Sequence, residues 1–247
     1  MFFCQQAGYY FFNFSSSQLI CAFSSRKLGN MSLFYADKDK ALENRKNFLS
    51  SLGINYLDLV CIRQIHQSNI KYVKLEDKGR GALSYKEAIS DTDAFFTDQR
   101  YLPLAIFTAD CLSIFIYEPK IPLIGLVHAG WRSTKDKILT KTLEKMQKEF
   151  NINIKNLYVA FGPAIRSCCY EVGKEFLDYF SSYVIKKDKG YYLDLMGINK
   201  RQLLDYGIEE KNLFDCQICT FCQNNEFFSY RKEGNASGRI MSVMMLK

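Results

Sequence analysis

Two apolar runs separated by a proline-bounded gap dominate the patterning of this chain. Leu112–Tyr117 and Leu123–Val127 are almost wholly apolar and rich in β-branched residues. Glu118-Pro119-Lys120-Ile121-Pro122 between them places both prolines where no ladder N–H is needed, so the stretch predicts strand, turn, strand. Further apolar runs predict strands at Tyr9–Phe14 and Leu19–Phe23, joined by Ser15-Ser16-Ser17, and at Leu57–Ile65 with Ile70–Leu75 as its partner. Others fall at Asp93–Thr97, Pro103–Phe107, Leu157–Phe161, Tyr191–Leu195, Leu213–Cys216, Glu226–Tyr230 and Arg239–Leu246. Helical spacing of Ala41, Leu42, Arg45, Phe48, Leu49 and Leu52 predicts a helix over Lys38–Leu52, stopped by Gly53. The same period predicts helices over Thr134–Phe150, Lys174–Ser182 and Asn199–Tyr206. In the first of these, Leu139, Leu143, Met146 and Phe150 form one stripe. Strands and helices alternate irregularly, which argues for an α/β (α+β) fold of mixed sheets with helices outside them. No repeat or linker interrupts residues 1–247, which read as one domain.

Composition narrows the class. An apolar content of 48% supports a packed core and argues against disorder. The formal charge of +7 comes from scattered lysines without an arginine-rich block, so neither nucleic acid nor a membrane surface is an expected partner. No stretch of about 18 apolar residues is present to span a bilayer, and the N-terminus lacks the pattern of an export signal. Nine irregularly spaced cysteines then read as reduced thiols of a cytoplasmic protein, not a disulfide framework.

The candidate chemistry follows from where the strands end. The chain has only two histidines, His66 and His128, each at the C-terminal end of a predicted strand, and Cys111 stands at the mouth of a third. In an antiparallel pair the start of one strand lies beside the end of the next, which makes Cys111 and His128 neighbours. Ala129-Gly130 leaves room beside them, and Asp110 flanks the cysteine. Three such donors suit a zinc ion with an open fourth position. Cys111 and His128 also suit a nucleophile–base dyad, and ordinary structural roles remain open. Cys216, Cys219 and Cys222 form a C-x-x-C-x-x-C run without an obvious fourth ligand. Cys168-Cys169 supplies one only if the fold brings it close, so packing thiols, reduced and metal-free, are the expectation. Arg132, Arg231 and Arg239 are candidate anion contacts. No phosphate loop or dinucleotide fingerprint is present.

A set of motifs then matches a known family nearly end to end. FSSRKLGN, ALENRKNFLSSLGI, RQIHQSNI, DTDAFFT, FTADC, GLVHAGWRS, FGPAIRSCCYEVG, YLDL and CTFCQNNEFFSYRKEGNASGR together resemble the YfiH-like family. Its members are described both as laccase-domain or polyphenol oxidase proteins and as purine nucleoside phosphorylases. The resemblance implies a four-layer α/β/β/α sandwich with zinc held by His66, Cys111 and His128. It implies phosphorolysis of adenosine and other purine nucleosides, methylthioadenosine included, with adenosine deamination as a second activity. In that reading Cys111, His128 and Asp110 are catalytic candidates, Asp110 as a proton relay, and Gln64, Arg45, Arg132 and Arg231 contact nucleoside and phosphate. Copper is disfavoured, because a multicopper oxidase needs several more histidines. The protein is expected to be a monomer or weak homodimer. Gln67 stands where the family usually has glycine, and Lys27-Leu28-Gly29-Asn30 replaces its Gly-Gly-x-Ser; both bear on substrate preference. Two other functions compete: a Cys111–His128 hydrolase or amidase acting on a cell-wall precursor, and a non-enzymatic metal-binding protein.

Overall fold

The apolar runs assemble into two six-stranded sheets packed face to face. The computed structural model describes residues 2–6, 8–14, 16–35 and 37–247, so the expected Ser15 turn position lies outside the described residues. In chain order the first half holds β1 (Phe2–Gln6), β2 (Tyr9–Asn13), β3 (Leu19–Ser24), α1 (Lys38–Ser51), β4 (Val60–Cys61), β5 (Ile70–Tyr72), β6 (Ala94–Thr97), β7 (Leu104–Thr108), β8 (Leu112–Glu118) and β9 (Leu123–Ala129). The second half holds α2 (Trp131–Lys135), α3 (Ile138–Phe150), β10 (Tyr158–Phe161), β11 (Glu171–Val172), α4 (Phe176–Phe180), β12 (Val184–Lys187), β13 (Gly190–Leu193), α5 (Leu195–Tyr206), β14 (Leu213–Asp215), α6 (Tyr230–Glu233) and β15 (Ile240–Leu246). One sheet runs β1-β2-β3-β15-β7-β4, the other β14-β10-β8-β9-β6-β5, and a small third sheet runs β11-β13-β12.

Three apolar layers hold these elements together. Phe23 and Ile106 of the first sheet meet Phe95 and Phe115 of the second in the central layer. Residues on the opposite face of the second sheet, Ile114 and Val127, pack under Leu139, Leu143 and Met146 of α3 and Leu203 of α5. Phe48 and Leu49 of α1 cover Ala22, Met241 and Val243 on the outer face of the first sheet. Helix, sheet, sheet and helix are therefore stacked, as the resemblance implied, and both faces of β8 and β9 are buried. That double burial explains why their sequences are continuous apolar runs without alternation. Among the described residues, no helix is long and apolar enough to cross a membrane.

One connection positions the site. β7 lies in the first sheet and β8 in the second, so Ala109-Asp110-Cys111 carries the chain across one end of the sandwich. Asp110 adopts φ 85 to make this crossing, a left-handed conformation that costs a non-glycine residue energy unless its surroundings hold it. Its carbonyl accepts from Ile165 N at 2.9 Å.

Several elements differ from the patterning, each for a visible reason. The run Leu57–Ile65 is a strand only at Val60–Cys61, paired with β7. The Gln64 side chain takes over the next ladder position, donating to Phe107 O at 3.0 Å and accepting from Phe107 N at 2.9 Å. Ile70–Tyr72 is not its partner but pairs in parallel with β6 in the other sheet. The helix expected over Thr134–Phe150 is interrupted at Lys137, which has φ 57. Lys137 N closes a tighter turn onto the Thr134 carbonyl at 3.0 Å, and Gln202 Nε2 shares that oxygen at 3.0 Å, the acceptor a continuous helix would offer to Ile138 N–H. Glu226–Tyr230 is turn rather than strand, since the adjacent Phe227 and Phe228 are both buried and Phe227 N turns back onto Gln223 O. The SYRKEG loop is helical at Tyr230–Glu233. Strands β1, β11 and β12 fall where the patterning predicts none.

Candidate active site

Strand register builds the site. β8 pairs Leu112 with Ala129 and Ser113 with His128, so Cys111, one residue ahead of β8, lies at the end where His128 emerges. β6 pairs Ala94 with Val127, which sets Asp93 opposite His128. His128 N donates to Asp93 O at 2.8 Å, and Asp93 Oδ1 lies 2.8 Å from His128 Nδ1. The same carboxylate accepts from His66 N at 2.9 Å, Gln67 N at 2.9 Å and Ile65 N at 3.2 Å. These bonds hold His66 in a turn at φ 60, not at the end of a strand as expected. Asp93, fully buried, thus places both histidines.

The three expected ligands converge. One donor atom each from His66, Cys111 and His128 lies within 4.8 Å of the others, and the two imidazole rings stand at 78° with centroids 4.8 Å apart. Asp93 occupies Nδ1 of His128 and leaves Nε2 to point at the cluster, the carboxylate–histidine arrangement that orients metal ligands. A Cβ at Gly130 would stand 3.2 Å from Cys111 Sγ and 3.3 Å from His66 Cδ2, so glycine keeps the donor cradle open. Burial by itself would raise the Cys111 pKa. The charge and hydrogen bond of His128, then those of His66, outweigh it and bring the thiol down to about 6. Burial likewise opposes charge on His128, but Cys111 and Asp93 raise it to about 9. A thiolate facing two imidazoles is a donor set for a transition-metal ion with an open position.

Two cavities meet at this cluster. The larger, about 380 Å³, is walled by Phe34, Tyr35, Tyr85 and Phe107 with Gln64 and Arg239 among its polar groups. The smaller, about 240 Å³, is walled by Trp131, Tyr170, Arg132, Arg231 and Asp110. His66, Ala109, Cys111 and Tyr230 belong to both. Phe34 packs on Tyr85 and on Tyr35, each with centroids 4.8 Å apart, and the Arg239 guanidinium lies 3.9 Å above the Tyr35 ring. All three rings are exposed.

The arginines expected at the site separate. Arg132 and Arg231 line the smaller cavity, stacked on Trp131 at 4.2 Å and Tyr170 at 5.5 Å. Arg45 instead lines the larger one and is 3% exposed. Its Nε donates to Met31 O at 2.7 Å and its Nη1 to Gly81 O and Ala82 O at 3.0 Å, so it holds the cavity wall together. Asp110 accepts from Thr220 Oγ1 and from Arg231 N, both at 2.6 Å. Each carboxylate oxygen keeps a further lone pair. Asp93 was not singled out as a site residue from sequence; an acidic residue directly ahead of a buried strand was the available signal.

A mixed two-sheet sandwich with a His–Cys–His donor set at the end of its central hairpin defines the class. The chain belongs to the multi-copper polyphenol oxidoreductase laccase family, whose model matches residues 22–247. It is similar to the purine nucleoside phosphorylase YlmD of Geobacillus stearothermophilus, with 31% identity over 87% of this chain and 82% of that one. It is similar to the adenosine deaminase RL5 of an unknown prokaryotic organism, with 27% identity over 85% of this chain and 84% of that one. The crystal structure of the Bacillus licheniformis hypothetical protein YfiH superposes with a TM-score of 0.94 at 28% identity, covering 99% of both chains.

Proposed function

We propose that this chain is a zinc-dependent purine nucleoside phosphorylase acting on adenosine, inosine, guanosine and methylthioadenosine, with adenosine deamination as a second activity. The observation that carries the reading is the position of the His66–Cys111–His128 cluster where an aromatic cavity meets an arginine-lined one, with His66 and Cys111 lining both and His128 the aromatic one. The names of the relatives support it. Zinc is favoured over copper because one thiolate and two imidazoles are borderline-soft donors, and a multicopper centre needs more histidines than the two in this chain.

In this reading the purine stacks against Phe34, Tyr35 and Tyr85, where aromatic contact is worth about 1–3 kcal/mol per base. Phosphate sits between Arg132 and Arg231, and the ribose lies across His66 and Cys111. A phosphate oxygen forms a bond to C1′ of the ribose while the C1′–N9 bond breaks and its electrons pass to the purine. The two guanidiniums hold the attacking phosphate, and the Asp110 carboxylate opposes positive charge developing on the sugar. Asp110, on the phosphate side, is placed to take the proton of the attacking hydrogen phosphate, and the departing purine, in the other cavity, is protonated from water. When bound, zinc supplies Lewis-acid activation of an oxygen nucleophile, the chemistry adenosine deamination requires.

The test is an assay of the purified protein with adenosine at varied phosphate. Adenine and ribose 1-phosphate should appear in equal amounts and only with phosphate, with slower phosphate-independent inosine. Absence of adenine at every phosphate concentration removes the phosphorylase.

One observation favours a second reading. His128 bridges Cys111 and Asp93, the order of a nucleophile–base–carboxylate triad. A Cys111 hydrolase acting on a cell-wall precursor would need no phosphate and would leave a thioester on Cys111 with a slow substrate.

A further inference from the structure

A second group of thiols lies beside residues of the smaller cavity's wall, next in the chain to Tyr170. Cys168 and Cys169 follow the turn after β10, and Cys219 and Cys222 form a C-x-x-C turn after β14. The fold brings the two segments together through Ala164 N to Ile218 O at 3.3 Å and Thr220 N to Ala164 O at 3.1 Å. The condition left open by the sequence, whether Cys168-Cys169 reaches the C-x-x-C run, is therefore met. All four sulfurs lie within 4.8 Å of one another, with Cys222 Sγ 3.6 Å from Cys168 Sγ and 3.3 Å from Cys169 Sγ. Cys216 is not part of the group.

We propose that Cys168, Cys169, Cys219 and Cys222 bind a structural zinc ion, separate from the His66–Cys111–His128 centre. Four sulfurs around one zinc at about 2.3 Å stand about 3.8 Å apart, close to the 3.6 and 3.3 Å separations and inside the 4.8 Å that bounds them all. Sulfurs this close leave no volume for a cluster of several irons. The backbone serves one of the sulfurs as well: N–H groups of Cys222 and Arg166 are directed at Cys219. Four thiolates on one zinc carry a net double negative charge, and cations stand near them. Arg166, itself ion-paired with Asp215, interacts with Cys219, Lys187 Nζ binds Ser167 O at 2.7 Å, and Lys232 Nζ reaches Phe221 O at 3.5 Å. Each of these carbonyls is next to a ligand in the chain.

The site has a mechanical consequence for its neighbour. Thr220, between Cys219 and Cys222, holds Asp110 Oδ1, and Tyr170, next to Cys169, walls the smaller cavity. An ion joining the two segments fixes both. The inference does not rest on the phosphorylase reading.

The experiment is elemental analysis of the full chain, purified under reducing conditions without added metal, beside the Cys219→Ser/Cys222→Ser and His66→Ala variants. The wild type should carry two zinc ions, and each variant should lose a different one. Cobalt titration of the wild type supplies a measurement that needs no variant: after the first equivalent, a second should give the intense sulfur-to-cobalt charge-transfer bands of four thiolates. A Cys219→Ser/Cys222→Ser protein with unchanged zinc content would overturn the proposal. So would wild type whose cobalt spectrum saturates with a single thiolate per ion, or whose four cysteines are joined as disulfides in the metal-free protein under these conditions.

Discussion

Asp93 and His128 face each other across the β6–β9 pair, joined twice: His128 N to Asp93 O at 2.8 Å and Asp93 Oδ1 to His128 Nδ1 at 2.8 Å. Because the same carboxylate also caps the turn of His66, one residue sets the orientation of both imidazoles. Asp93→Asn keeps the shape but replaces an acceptor-only group by one that is half donor. Metal affinity should fall about 10- to 100-fold, the usual cost of losing such a partner. Competition with a chelator measures it, and an affinity equal to wild type would dissociate Asp93 from the centre.

The two classes of arginine should behave oppositely. Arg45 satisfies three buried carbonyls, so Arg45→Ala should cost about 3 kcal/mol or more of stability in denaturant unfolding. Arg132 is exposed and stacks on Trp131, so Arg132→Ala should leave stability within about 0.5 kcal/mol while raising the KM for phosphate about tenfold. If Arg132→Ala leaves that KM unchanged, phosphate binds elsewhere.

Removing the exposed rings separates binding from chemistry. Phe34→Ala and Tyr85→Ala should each raise the KM for adenosine by about tenfold with kcat nearly unchanged, since stacking is present before and during reaction. A fall in kcat at constant KM would place the base in a different cavity.

Glu233 gives a pH dependence. Burial opposes its charge, but Arg26 at 2.6 Å, Ser229 N and Asn224 hold its carboxyl below the ordinary 4.5. A folded-state pKa below the unfolded one contributes stability that is complete above the unfolded value and is lost as pH falls through the folded value. Glu233→Gln should therefore destabilise by about 1–2 kcal/mol at neutral pH. The gap from wild type should narrow as pH falls below the ordinary value of 4.5 and through the lower folded-state value. Thermal unfolding across this range checks it; a gap that stays constant on acidification would mean the carboxylate charge is not what holds α6.

What could be read from the chain was local. The continuous apolar runs on either side of Pro119 and Pro122 gave the central hairpin, and the antiparallel rule then gave Cys111 beside His128. The α1 helix followed from its period and Gly53. Long-range register was not legible: Asp93 acquires its role from pairing with β9, and the four-cysteine group from the packing of two turns about fifty residues apart. Side chains that replace backbone partners were also invisible. Gln64 ended a strand early, and Gln202 shares with Lys137 N the Thr134 carbonyl at the helix break.

The rate at which iodoacetamide modifies Cys111 tests the metal-centre account most directly. A cysteine committed to zinc with His66 and His128 is shielded, so Cys111 should react slowly in zinc-loaded protein and much faster after chelation, followed by mass spectrometry of the Cys111 peptide. Fast modification in zinc-loaded protein, unchanged by chelation, would contradict the account and make Cys111 a free nucleophile activated by His128.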